Sequence, residues 1–555
     1  MKKIILLVSS FILITSLYAQ QSVSKLYVLQ FRDKGISTDV SVNPSLYLTD
    51  KAIERRIKQK IAFDQSDIPV NEQYVKSISE TGARVLTRSR WFNNVVIEAT
   101  PEIITAISAL SFIEKVQQLG EKANDVSAAK SVKFEAEQIN PWNKGFTKKA
   151  PTDIYDYGAA YNQINQLQGQ YLHNNGYSGQ GMTIAVLDAG FNSADVMPCF
   201  DSLRANNQIL GTTDIAQPGN NVYGTWMHTH GTSVLSCMGA YVSGQMIGTA
   251  PKANYWLIRT EVGESEHIIE EYYWVSGAEF ADSVGADLIN SSLGYTTFDP
   301  PSTTDHTYAD MDGNTTFVTI GADKAAEKGI LVVNSAGNSG GGGWWYIGAP
   351  ADGDSVFTIG AVDMYGNRAY FSSVGPTYDG RLKPTVDAQG QEAALYFPGG
   401  FGAGSGTSFS SPITCGITAC LWQALPAYNN MQVIELMKAT ASQASAPDSL
   451  LGWGIPNVKT ALTTLSVHTQ SAEKELHSYP NPVFDKLTLG FPDAIRGEYQ
   501  IEIVNLQGQV VYSQKGNAES TISMQINNIG NLNAGIYFVR VANGIINYST
   551  KILKE

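Results

Sequence analysis

One run constrains the fold more than any other: Met182-Thr183-Ile184-Ala185-Val186-Leu187. A strand that is apolar on both alternating faces must be covered on both sides, as a central strand of a parallel sheet is. Asn254 to Arg259, Asp287 to Asn290, Ile330 to Asn334 and Ser355 to Val362 read as further strands. Between them, Glu264 to Gly285 and Thr316 to Lys328 carry helical spacing. Alternating strands and helices predict an α/β domain over residues 154–465, built on a doubly wound, mostly parallel sheet. Ligands bind such sheets beyond the carboxyl ends of the strands. The polar residues at those ends are therefore the first candidates for chemistry.

A second stretch, Gly406-Thr407-Ser408-Phe409-Ser410-Ser411-Pro412, opens the apolar segment Ile413 to Leu425, which is expected to be a buried helix. Ser408 then stands beside free N–H groups and the positive end of the helix dipole. Gly404 and Gly406 would let a substrate backbone approach, and Pro412 is expected in the first turn, where its missing donor costs little. The plain alternative makes Ser408 a helix cap.

Three more residues stand at strand ends. Asp188 follows the apolar strand, His230 opens a helix in His230-Gly231-Thr232-Ser233-Val234, and Asn338 follows the Ile330–Ala336 run. Singly, Asp188 could be a turn former and Asn338 an ordinary loop residue, while His228 and His230 could be a metal pair, though without a third ligand nearby. Together with Ser408 they have one chemistry. A serine needs a base within hydrogen-bond reach, and the base needs a third group to hold its tautomer. His230 and Asp188 fill these roles, and Asn338 offers a donor for the oxyanion of a tetrahedral intermediate beside the Ser408 N–H.

The rest of the chain frames this unit. Lys2-Lys3 before the apolar run Ile4 to Leu17, with cleavage after Ala19 or Gln20, reads as a signal peptide over residues 1–20. No later run is long and apolar enough to cross a bilayer. A net charge of −13 with a pI near 5.1 argues against nucleic acid as partner. Cys415 and Cys420 read as core residues, while Cys199 and Cys237 are candidates for a bridge. Residues 22–120 read as a small α+β unit. Its strands are expected at Lys25 to Phe31, Trp91 to Ala99 and Ile113 to Gln117. Helices are expected at Leu48 to Lys60, with a basic side, at Val70 to Thr81, and after the Thr100 cap at Pro101. Residues 121–153 lack periodicity and are expected to be a linker. A small domain before such a linker in an exported chain suggests a propeptide, with a permanent binding module as the alternative. After a linker at 466–476, residues 477–555 alternate as short strands and predict a β-sandwich, for which a carbohydrate- or protein-binding module is the plain reading.

At this point the sequence resembles the subtilases, the subtilisin-like serine peptidases. The resemblance rests on Asp188-Ala189-Gly190, His230 to Val234, Asp287 to Gly294, Ala336-Gly337-Asn338 and Gly406 to Pro412, in the family's order. It covers residues 160–465 and departs at Phe409, where the family usually has Met. It implies hydrolysis of peptide bonds through an acyl-enzyme by Asp188, His230 and Ser408. Asn338 would hold the oxyanion, and Ser292, Leu293 and Gly294 would line the substrate strand. It also implies that residues 24–118 act as an inhibitory prodomain removed by self-cleavage within 118–153. No cofactor is required for the chemistry. Subtilases often bind structural calcium, and Asp310 to Asn314 is read as a turn, with a calcium loop as the alternative. Ser339 to Gly343 with Trp344-Trp345-Tyr346 could be a mobile wall of the cleft or a surface loop. Tyr479-Pro480-Asn481-Pro482, the Asn505–Val511 segment, Gly535-Ile536-Tyr537 and Lys551 to Lys554 resemble the C-terminal sorting domain of type IX secretion. That implies passage through the outer membrane to the surface or the medium, with the secretion machinery as a partner. The expected protein is a monomeric zymogen acting on proteins or peptides. The competing reading is a non-catalytic surface or adhesion protein on the same fold, and an esterase is a third.

Overall fold

In the computed structural model, residues 23–35, 43–121, 137–145, 150–299, 305–464, 476–542 and 547–555 are described. The predicted signal peptide and the polar stretch 466–475 lie outside them. The chain forms two units, residues 1–459 and 460–555.

The first unit begins with a four-stranded antiparallel sheet, β1 (Lys25–Phe31), β2 (Arg84–Ser89), β3 (Asn94–Ala99) and β4 (Ile113–Glu121), in the order β2-β3-β1-β4. Its helices are α1 (Asp50–Lys58), α2 (Glu72–Glu80) and α3 (Pro101–Ser108). Three of these strands and all three helices fall where periodicity placed them, while β2, of mixed polarity, was not foreseen. Thr100 takes the cap position of α3 but makes no side-chain cap bond. The basic side of α1 is only partly a solvated face, with Lys58 exposed. Arg55 and Arg56 are buried, because they reach an aspartate on a later helix.

The expected linker contains a strand, β5 (Gln138–Pro141). Its pairing partner lies more than 250 residues further on, beyond the reach of local pattern. The central sheet follows: β6 (Thr183–Asp188), β7 (Ile209–Asp214), β10 (Asn254–Arg259), β11 (Leu288–Ser291), β12 (Leu331–Ser335), β13 (Phe357–Val362) and β14 (Val386–Gln389). The hairpin β8 (Tyr241–Val242) and β9 (Met246–Ile247) stands apart from it. All pairings in the seven-stranded sheet are parallel, in the order β14-β13-β12-β11-β6-β10-β7. The apolar run thus becomes β6, buried at every residue and flanked on both sides. β7 and β14 escape sequence reading because Gly, Thr, Asp and Gln interrupt their apolar pattern.

Helices α4 (Tyr161–Asn165), α5 (Gly169–Asn174), α6 (Asp201–Ala205), α7 (His230–Gly239), α8 (Ile269–Ser283), α9 (Phe317–Glu327), α10 (Thr407–Ala424) and α11 (Asn430–Ala439) complete the layers, with the hairpin β15 (Ala393–Phe397) and β16 (Gly400–Ser405) before α10. Ala185, Leu187, Ile289 and Val332 share one core with Trp274, Val275 and Ala278 of α8 and Ala322 of α9. Residues 184 and 186 point the other way by strand alternation. α7 packs on β6 and α10 on β11 to β14. Every α10 residue from Thr407 to Trp422 is buried, as its all-round apolarity requires.

The N-terminal sheet docks on α8. Leu26, Val28 and Val96 pack with Ile269, Tyr272 and Tyr273, and Trp91 enters the core beneath α8. Asp282 of α8 receives three arginines: Arg55, Arg56 at 2.8 Å and Arg90 at 2.7 Å. Burial alone would raise the Asp282 carboxyl, and the three guanidinium groups instead hold it below its ordinary range. Glu279, one turn earlier, accepts the Arg90 and Trp91 N–H groups at 2.9 and 3.1 Å.

The second unit is an antiparallel β structure of β17 (His477–Tyr479), β18 (Leu487–Val504), β19 (Val510–Ile526), β20 (Gly535–Ala542) and β21 (Asn547–Lys554). Its five strands form one hydrogen-bonded network over a single core that includes Leu487, Ile501, Ile503, Val539 and Ile552.

Candidate active site

The parallel register brings the site together. Ser291 lies level with Leu187 on one side and with Asn334 on the other. Asp188, Ser292 and Ser335 therefore leave adjacent strands at one carboxyl edge, with Asn338 three residues beyond. Asp188 ends β6 and His230 begins α7. Gly231 allows their close approach: a Cβ there would fall 2.9 Å from the Asp188 Cβ and 2.5 Å from the Gly190 carbonyl oxygen. His230 Nδ1 lies 2.8 and 3.0 Å from the two Asp188 oxygens, and both residues are buried. This contact sets the proton on Nδ1 and turns Nε2 toward the cleft.

Ser408 is the second residue of α10. Gly406 is the cap and makes no side-chain bond, so Ser408 is not an N-cap. Pro412 lies inside the helix, one turn later than expected. It has no N–H for the carbonyl of Ser408, four residues back. The Ser292 hydroxyl supplies the missing donor at 2.9 Å, and Ser408 Oγ donates to the Ser292 carbonyl oxygen at 3.4 Å. A Cβ at Gly406 would meet the Glu137 side chain, which itself lines the cleft. Gly404 does not face the cleft: a Cβ there would meet Leu395 and Phe409. Phe409 is fully buried, with its ring 6.3 Å from that of His230.

Asn338 is oriented by a residue that sequence reading passed over. Thr407 donates to Asn338 Oδ1 through its N–H at 2.8 Å and its hydroxyl at 2.9 Å. Its hydroxyl also accepts the Gly337 N–H at 3.1 Å. The amide nitrogen of Asn338 is thereby left to face the cleft. Thr407 precedes the serine in the same heptapeptide, but only the fold shows what it touches. Ser292, Leu293, Gly294, Asn338, Thr407 and Ser408 line one cleft of about 320 Å³. Trp344 and Tyr346 form part of its wall. Tyr346 stacks on Tyr308 at 3.9 Å and Trp344 Nε1 donates to the Ile347 carbonyl, so the aromatic end of this loop is anchored.

A second overlooked residue is Glu137, just before β5. Its carboxylate lies 3.1 Å from His230 Nε2 and accepts from Asn338 Nδ2 at 3.3 Å. Burial alone would lower the His230 pKa. The charges and hydrogen bonds of Asp188 and Glu137 outweigh it and raise the imidazolium to about 10. His228 accepts the His230 N–H at 3.2 Å, and burial and the neighbouring His230 charge lower its own pKa.

The turn at Asp310–Asn314 uses its carboxylates locally. Asp310 accepts from the Thr307 N–H and hydroxyl, and Asp312 from the Asn314 N–H and the Thr315 hydroxyl. These oxygens act as caps, so the segment does not fit a calcium cage. Among the described residues, the three carboxylates close enough to share a cation are Glu261, Glu266 and Glu270, none of them in that turn. Cys199 and Cys237 do not form the candidate bridge: both are free buried thiols, the Cys237 Sγ donates to the Ser233 carbonyl at 3.6 Å, and burial pushes Cys199 up to about 12.

Residues 179–454 match the subtilase family, residues 26–136 the peptidase S8 propeptide domain of Bacteroidota, and residues 477–555 the secretion system C-terminal sorting domain. Subtilisin NAT of Bacillus subtilis subsp. natto is 30% identical over 371 residues, covering 64% of this chain and 87% of that protein. The chain belongs to the subtilase family. Subtilisin E of Bacillus subtilis (strain 168) aligns with the same identity and coverage. Subtilisin Savinase of Lederbergia lenta is 27% identical over 300 residues, 54% of this chain and 97% of its own. The subtilase is a serine-type endopeptidase with a propeptide, and its sorting domain marks it for export to the surface or the medium. No described helix is long and apolar enough to cross a membrane.

Proposed function

We propose that this subtilase hydrolyses peptide bonds through an acyl-enzyme on Ser408. His230 Nε2 takes the Ser408 proton as Oγ attacks the scissile carbonyl carbon. Asp188 holds the Nδ1 proton and stabilises the cation. The oxyanion is received by Asn338 Nδ2 and the Ser408 N–H. The intermediate collapses with loss of the amine, which takes the proton back from His230. Water then repeats the cycle and frees Ser408. The observation that carries this reading is the buried Asp188–His230 pair at 2.8 Å, with the ring of Phe409, the residue after Ser408, 6.3 Å from that of His230.

The exposed edge at Gly294, beyond β11, suits an extended peptide better than a compact ester. The domains act in series. Residues 1–20 enter the secretory route, 22–120 inhibit and are removed within 118–153, 154–465 catalyse as a monomer, and 477–555 engage the secretion machinery. The test is fluorophosphonate labelling of wild type beside Ser408→Ala. A labelled, shortened wild-type band and an unlabelled, full-length variant are expected. A folded, shortened wild type that stays unlabelled would leave the non-catalytic surface protein as the reading.

A further inference from the structure

The catalytic cleft of the intact chain already holds a side chain, and its origin is unusual. β5 pairs antiparallel with β16, with Gln138 opposite Ser405 and Ile139 opposite Gly404. Continuing that register sets Glu137 opposite Gly406, the cap of α10. A Cβ at Gly406 would fall 3.0 Å from the Glu137 Cγ and 3.1 Å from its Oε1, so glycine leaves just the space that the carboxylate fills. The strap is also held at its outer end, where Lys144 pairs with Glu392 at 2.6 Å. Glu137 lies one residue beyond the propeptide match, which ends at 136.

The two oxygens of Glu137 meet the two groups on which catalysis would depend. Oε2 is 3.1 Å from His230 Nε2, the atom that would take the serine proton. Oε1 accepts from Asn338 Nδ2, the donor that would receive the oxyanion. The carboxylate is nearly buried, with 5% of the side chain exposed, so water screens the contact little. Ser408 Oγ meanwhile donates to the Ser292 carbonyl oxygen.

We infer that Glu137 is a carboxylate latch, which keeps the intact chain inactive by bridging His230 and Asn338 and taking the base away from Ser408. The inference rests on the roles proposed above for these residues. It differs from inhibition by the folded N-terminal sheet, which docks on α8. The latch blocks by the charge of one side chain that the sheet does not contain. An imidazolium set between the charges of Asp188 and Glu137 carries a proton at Nε2, so it has no free lone pair there and cannot act as a base. Activation on this view requires the strap to leave β16, with or without departure of the N-terminal sheet.

The experiment is a time course of fluorophosphonate labelling on the full chain, comparing wild type, Glu137→Ala and Glu137→Gln. The intact and shortened bands are quantified separately on a gel. The intact Glu137→Ala band is expected to label about 10²-fold faster than intact wild type, the low end of what a general base contributes. Glu137→Gln should fall between them, since the amide can still meet Asn338 but does not pair with the imidazolium. If the alanine variant shortens before it labels, faster shortening than wild type is the same result read through self-cleavage. Equal labelling and equal shortening of all three chains, with unchanged melting temperatures, would overturn the latch while leaving the nucleophile in place. A wild-type protein whose shortened band never labels would instead remove the catalytic reading, and the latch with it. Should Glu137→Ala fail to fold, the isosteric glutamine variant carries the comparison alone.

Discussion

The hydroxyl of Ser292 donates to the carbonyl of Ser408 at 2.9 Å, the carbonyl left without a helical donor by Pro412. One proline thus ties the substrate-side segment after β11 to the turn that carries the serine. Ser292→Ala is expected to leave a buried acceptor unpaired and to cost about 1–3 kcal/mol. Urea unfolding of the Ser408→Ala chain measures that loss. Turnover of a peptide substrate by Ser292→Ala alone should fall with it, because the Ser408 backbone loses its anchor.

The Asn338 amide depends on Thr407. Asn338→Ala should lower turnover by about 10²–10³-fold, a magnitude taken over from the loss of such a donor in subtilisin. Thr407→Val removes one of the two bonds to Asn338 Oδ1 and keeps the backbone N–H. A smaller fall in kcat, about tenfold, with KM unchanged is expected from misplacement of the donor. Steady-state kinetics separates the two variants. A rise in KM with constant kcat would assign Thr407 to ground-state binding.

His230 gives the intact chain a pH dependence. It faces Asp188 at the end of β6, Glu137 before β5, and His228 two residues upstream. Its folded pKa, about 10, is raised above the ordinary 6.5. The protonated form is therefore favoured by folding. Its stabilisation is full below pH 6.5 and is lost as pH rises through about 10. The Ser408→Ala chain should lose stability across that window. Adding Glu137→Gln should flatten the loss, and NMR should then find His230 titrating at a lower pH.

Asp282 anchors the propeptide domain through Arg55, Arg56 and Arg90. Asp282→Ala would leave three buried cations facing one another. Removing one side of such a buried cluster costs about 3–5 kcal/mol. Limited proteolysis of the Ser408→Ala chain should then cleave the N-terminal sheet earlier. The matured form of an otherwise wild-type Asp282→Ala protein should unfold within about 0.5 kcal/mol of its parent, because there the aspartate has lost its partners and meets water.

What the sequence determined by itself was local. The apolar run of β6 needs cover on both faces, and that need alone implies a parallel sheet with helices above and below. Asp188, His230, Asn338 and Ser408 were legible as candidates because each sits near a strand end or helix start, with a residue type suited to the role proposed for it. Periodicity also placed three strands and three helices of the N-terminal unit within a few residues. The tertiary structure decided whatever depends on register between distant segments. Arg55 and Arg56 look like a solvated basic face until Asp282, more than 220 residues away, is brought against them. Thr407 is an unremarked neighbour of the serine until Asn338 arrives. Glu137 lies in a stretch without periodicity, and the pairing of β5 with β16 carries it into the cleft. The reason is physical: a hydrogen bond across 70 to 270 residues leaves no periodic trace in either partner, because its geometry is set by the sheets and helices that bring the two together.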